Sequence, residues 1–74
     1  MRAQIIMDNR GDTRHEFDPT SAEAVDIAAK RFRTLTDAGY RAVALGKDGA
    51  PGVLLRDFNP SVEQTLFIPQ LQGG

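Results

Sequence analysis

Side chains able to do chemistry are scarce in this chain. There is no cysteine, which excludes a thiolate nucleophile, a disulfide and a thiolate metal site. His15 is the only histidine. It stands in an alternating stretch, Thr13 to Phe17, and is expected as a half-buried structural residue rather than a base or ligand. Asp57 and Glu63 lie on either side of Asn59, where turn and cap duties explain them better than a carboxylate pair. Gly46-Lys47-Asp48-Gly49 reads as a turn, and Pro51-Gly52 adds no phosphate-binding signature. Arg10-Gly11-Asp12 spells an integrin-binding tripeptide, but no secretion signal is expected and there is no cysteine to support that use. Lys30 and Lys47 are the only side-chain amines, and so the possible acceptor lysines. No catalytic residue, metal ligand set or cofactor site is expected, and the chain does not read as an enzyme.

What remains is the end of the sequence, Gln70-Leu71-Gln72-Gly73-Gly74. Residues 70–74 are too polar and too rich in glycine to offset their own ordering, so they are expected as a flexible tail. Two readings compete for Gly73 and Gly74. One is an unconstrained terminus. The other is a carboxyl end shaped to enter a partner's narrow active site, where any side chain larger than hydrogen would clash.

The elements that must carry such a tail follow from the hydrophobic pattern. Seventy-four residues make one small domain, expected over residues 1–69. A net charge of −1 with mixed signs argues against a general nucleic-acid or membrane binder. No apolar run approaches the ~20 residues of a membrane span, and Ile5-Ile6-Met7 is too short for a signal peptide, so a cytoplasmic monomer is expected. Ala3 to Met7 and Thr13 to Phe17 read as a hairpin around Gly11. A helix should run from about Thr20 to Ala38, capped by Asp18 or by a Thr20–Glu23 capping box. Its apolar stripe is Val25, Ala28, Ala29, Phe32 and Leu35, with Ile27 at the border or exposed and Lys30, Arg31 and Arg33 on the wet side. Gly39 is the expected left-handed stop. Strands are expected at Arg41 to Leu45, Val53 to Arg56 and Thr65 to Ile68, with one helical turn begun by Asn59 before the last. One helix with one apolar stripe needs one sheet face, which gives a two-layer α+β domain in ββαβββ order. Phe17, Val25, Phe32, Leu35, Leu66 and Ile68 are its expected core.

That order resembles ubiquitin and its relatives, the β-grasp proteins. Gln4-Ile5-Ile6-Met7 resembles the family's opening strand, and Asp18-Pro19-Thr20 its acidic-Pro-hydroxyl entry to the helix. Arg41-Ala42-Val43-Ala44-Leu45-Gly46-Lys47 is similar to its third strand and the following lysine-bearing turn. Leu55-Arg56-Asp57-Phe58-Asn59 resembles the Leu-Ser-Asp-Tyr-Asn segment, and Thr65-Leu66 the start of the final strand. Two features depart from the pattern: Pro69 should end the last strand near Ile68, and Gln70 and Gln72 replace a basic tail. A bacterial or phage ubiquitin-like protein with its own partners fits better than ubiquitin.

The resemblance implies a ubiquitin-like modifier or sulfur carrier with no cofactor of its own. A partner activating enzyme would use ATP to adenylate the Gly74 carboxylate, with a conjugating enzyme and a peptidase as further partners. Gly73 and Gly74 would thread the active site, and Gln70, Leu71 and Gln72 would provide reach and recognition. Val43 is expected to face away from the helix with Phe67 beside it as a recognition patch, unless either side chain completes the core over the small Ala42 and Ala44. The competing expectation is a β-grasp module that binds proteins without being conjugated.

Overall fold

A computed structural model describes residues 1–46 and 52–70. The chain runs β1 (Arg2–Asp8), β2 (Gly11–Phe17), α1 (Ala22–Asp37), β3 (Tyr40–Leu45), β4 (Val53–Leu55) and β5 (Gln64–Pro69). One five-stranded sheet carries them in the order β2-β1-β5-β3-β4. β1 and β5 pair in parallel, and the other three pairings are antiparallel. A single helix packed on this mixed sheet makes the α+β domain expected from the pattern.

Local chemistry explains the element ends. At the first hairpin, the Asp8 carboxylate accepts from the Arg10 N–H at 2.8 Å, and Gly11 takes φ +119°. The helix is capped by neither expected residue. Asp18 spends its carboxylate on the Thr20 N–H (2.9 Å) and hydroxyl (2.7 Å). Ser21 is therefore the cap, its Oγ accepting from the Ala24 N–H at 3.2 Å. Gly39 closes the helix at φ +100°. Asn59 organises a hydrogen-bonded turn instead of a helical one: its Oδ1 accepts from Ser61 N–H, and its carbonyl from Val62 N–H.

Pro69 does not stop β5 at Ile68; it lies within the strand, opposite Tyr40. The reason is directional. Gln70 donates its N–H to the Gly39 carbonyl on the β3 side at 3.2 Å. By alternation, position 69 points its nitrogen to the β1 side, two residues beyond the last pair, Ile6 with Phe67. The missing donor therefore breaks no bond of the ladder.

All four phenylalanines join under the helix. Phe17 meets Phe58 at 6.1 Å between centroids, Phe58 meets Phe32 at 6.0 Å, and Phe32 meets Phe67 edge-on at 5.6 Å. Ala28 and Ala42 leave room for these rings, and Ile6, Leu35, Tyr40 and Leu55 pack around them. Val25 is half-buried at the border, and Ile27 is exposed as expected. Leu66 and Ile68 leave the expected core: β5 buries Thr65 and Phe67 beneath the helix instead. A shift of one residue in strand phase exchanges the two faces completely.

The core also holds a polar residue. Gln4 is 1% exposed; its Nε2 donates to the Ala28 carbonyl at 3.0 Å, and its Oε1 accepts from Arg31 Nη1 at 2.9 Å. Arg31 is consequently half-buried rather than on the wet side of the helix. The amide has both kinds of partner, which removes the penalty of burying it unpaired.

Candidate functional site

The alternate residues of the strands make the sheet face that turns away from α1. The register aligns Arg14 with Ile5, Ile5 with Leu66, Leu66 with Val43, and Val43 with Leu54. This row crosses all five strands, with a charge at the β2 end and apolar side chains along the rest. A second row follows one step along the strands: Asp12 pairs with Met7 on one side, and Ile68 with Arg41 on the other. Ile5, Leu66 and Val43 are half-buried by their neighbours, while Leu54 is 56% exposed and Ile68 39%. A contiguous apolar strip across a sheet face is the kind of surface that takes a protein partner.

Charge frames this strip. Arg14 Nε and Glu16 Oε1 are 4.0 Å apart on β2, a long, solvent-screened contact. The side chains of Asp12 and Arg41 are exposed and make no ion pair with another described residue. Gly52 closes the β4 end against the same strip. A Cβ built at Gly52 would overlap Val43 Cγ1 and come within 3.2 Å of the Ala44 carbonyl oxygen. Only glycine admits this approach without moving Val43.

Val43 occupies the outer face as expected. Phe67 does not: it is 0% exposed beneath α1, and its place beside Val43 belongs to Leu66. Gln70 is exposed at the end of β5, anchored by its N–H on Gly39. Lys30 is exposed on α1 and pairs with Asp26 Oδ2 at 3.1 Å, one helical turn away. Lys47, Leu71, Gln72, Gly73 and Gly74 lie outside the described residues. His15 is half-buried on the helix-facing side of β2, opposite Gln4. The structure therefore brings Val43 into a surface with residues that sequence reasoning placed elsewhere, Leu66 and Ile68 above all. The apolar type of Leu66-Phe67-Ile68 was the only signal, and it carries no phase.

A groove lies between α1 and the Arg56–Phe58 segment. It is an open groove of about 500 Å³ with Phe32, Phe58 and Ala29 along it. Its charged residues balance, with Lys30, Arg33 and Arg56 against Asp26, Asp37 and Asp57, so it favours no sign of ligand. Among the described residues, no group of three or more His, Asp or Glu side chains could hold a metal ion. No described helix is long and apolar enough to cross a membrane. The Asp18 carboxylate is held below its ordinary range by the Thr20 hydroxyl and then by the Thr20 N–H, both within one local turn.

No family model matches the chain, and neither a curated protein nor a solved structure matches it. Fold and site define a small α+β protein with an apolar row across the sheet face that turns away from the helix.

Proposed function

We propose that this chain is a ubiquitin-like β-grasp protein, a modifier or sulfur carrier activated at the Gly74 carboxylate and recognised through its outer sheet face. The observation that carries the reading is the strand order. β5 lies in the middle of the sheet, parallel to β1, with one helix clasped on one side. This is the arrangement the resemblance to ubiquitin implies. Gln70 follows directly on this central strand. The apolar row Ile5–Leu66–Val43–Leu54 supplies a docking surface on the same domain.

In this reading the partner does the catalysis and this chain supplies the electrophile. A carboxylate oxygen of Gly74 attacks the α-phosphorus of ATP, and pyrophosphate leaves. The product is a mixed anhydride between the glycyl carboxyl and AMP. A partner thiolate then attacks the carbonyl carbon, AMP leaves and a thioester forms; sulfide in the same position gives a thiocarboxylate. An amine attacking the thioester gives an amide and returns the thiol. Gly73 and Gly74 let the backbone pass a narrow channel. The chemistry requires Gly74 to carry a free carboxylate, either as it stands or after cleavage of a longer chain.

The test is mass spectrometry of the protein expressed with its neighbouring genes, searching for Gly74 joined to lysine, cysteine or sulfur. Deleting Gly74 should leave the melting temperature unchanged and abolish every such adduct. A second reading, a binding module that is never conjugated, is favoured by the outer face itself, which needs no tail to dock a protein. It takes over if Gly74 stays unmodified beside a competent activating enzyme and truncation after Gln72 leaves biological activity intact.

A further inference from the structure

We infer that the outer face of the sheet is also a self-association surface, on which two copies of this chain pack face to face about a twofold axis parallel to β5. This inference does not depend on the chemistry of Gly74. Its warrant is the placement of charge around the apolar rows. A twofold along the strands lays β5 on β5, β1 on β3 of the second copy, and β2 on its β4. Leu66 then meets Leu66, Ile68 meets Ile68, and Ile5 meets Val43. Arg14 extends its aliphatic stem over the exposed Leu54.

The second row selects this axis over the one across the strands. Asp12 on β2 and Arg41 on β3 lie in the same row, and neither side chain is paired with another described residue. After the rotation, Asp12 of one copy stands about one strand spacing, ~4.8 Å, to the side of Arg41 of the other and about 10 Å across the interface. An arginine and an aspartate together span that distance. The pair forms twice by symmetry, which is the self-complementarity a twofold interface requires. An axis across the strands would instead lay Arg41 over Leu45, where it finds no carboxylate.

The size of the face sets the strength. Five strands of up to seven residues make a surface about 24 Å wide and about 20 Å long, roughly 500 Å² in projection. That falls short of the roughly 800 Å² per partner of a standard stable interface, so the dimer is weak and concentration-dependent.

Sedimentation equilibrium of the full chain at low salt, from about 10 µM to about 1 mM, tests the inference. The weight-average mass should rise from that of one chain towards that of two. Ile68→Glu changes an exposed residue, should keep the circular dichroism of the native fold, and should raise the dissociation constant at least about tenfold. Arg41→Asp should weaken the dimer, and adding Asp12→Arg to it should restore most of the loss. On dilution, amide shifts should move in β1, β5 and β3. A wild-type chain that stays monomeric at 1 mM overturns the inference. So does a dimer indifferent to Ile68→Glu, and a charge swap that fails to restore association overturns the proposed axis.

Discussion

The two faces of the sheet are built from the same strands, yet they solve opposite problems. On the helix side, β5 presents Thr65 and Phe67, which are buried, and β3 presents Ala42, which is small enough to let Phe32 and Phe67 meet. On the outer side, the same strands present Leu66, Ile68 and Val43, which stay half-buried or exposed. The inner face is large-against-small, with aromatic rings filling the space above alanines. The outer face carries medium aliphatics of similar size in rows, with only Gly52 of the described residues shown packed close against them, at Val43. Close packing under the helix stabilises the fold, whereas a flat aliphatic strip leaves surface for another molecule.

The largest test of this contrast compares neighbours on one strand. Phe67→Ala should cost roughly 3–5 kcal/mol, because it empties a fully buried site beside Phe32. Leu66→Ala should cost about half as much or less, because its side chain still touches water. Urea unfolding of both variants checks this, and equal losses would mean the outer face is covered in solution.

Gly52→Ala sharpens the comparison at the β4 end. The new methyl must displace Val43, at a cost of about 1–3 kcal/mol. Removing the obstacle with Val43→Ala in the same chain should recover part of that loss. If the two effects simply add in a double-mutant cycle, the close approach of Gly52 is not the cause.

The inner face is less uniform than its rings suggest, and Gln4→Leu probes its polar point. The substitution removes two hydrogen bonds, from Gln4 to Ala28 and from Arg31 to Gln4, while keeping apolar volume. Arg31 is half-buried and can turn to solvent, so the loss should be about 1 kcal/mol. A thermal shift of more than ~8 °C would show that the amide fixes the seating of the helix more strongly.

The smallest effect lies outside both faces. Asp18 has its folded pKa lowered below 3.8 by the Thr20 hydroxyl and N–H. A depressed carboxylate pKa contributes stability above the unfolded value and loses it as pH falls through the folded value. The stability difference between the wild type and Asp18→Asn should therefore shrink as pH drops from about 5 to about 2. A difference that stays constant with pH would remove the carboxylate from the turn.

Much of the architecture was legible in local pattern. The stripe Val25, Ala28, Phe32, Leu35 specified both the helix and the face it buries, because helical periodicity labels every position with a direction. Gly11 and Gly39 marked the hairpin and the helix stop, and both adopt the positive φ those roles need. Val43 was expected on the outer face, although the small Ala42 and Ala44 beside it left open that it completes the core; the register puts it opposite Leu66, away from the helix. The site was only half legible. Gln4 and Arg31 each looked like ordinary polar residues, and only their meeting across 27 positions of chain turns them into a core feature.

Leu66-Phe67-Ile68 marks the limit most clearly. Three apolar residues in a row specify a strand but contain no alternation to say which of them points inward. The choice was made by register with Ile6 on β1 and Ala42 on β3, which set Phe67 over a small residue and under the helix. The helix cap was decided in the same way. Asp18, Thr20 and Ser21 are all competent caps by type, and the Asp18–Thr20 bonds leave the role to Ser21. Composition and period thus determined which segments order and what shape each takes. Side-chain volume, and competition for hydrogen-bond partners brought together by the fold, determined which residues became core and which became surface.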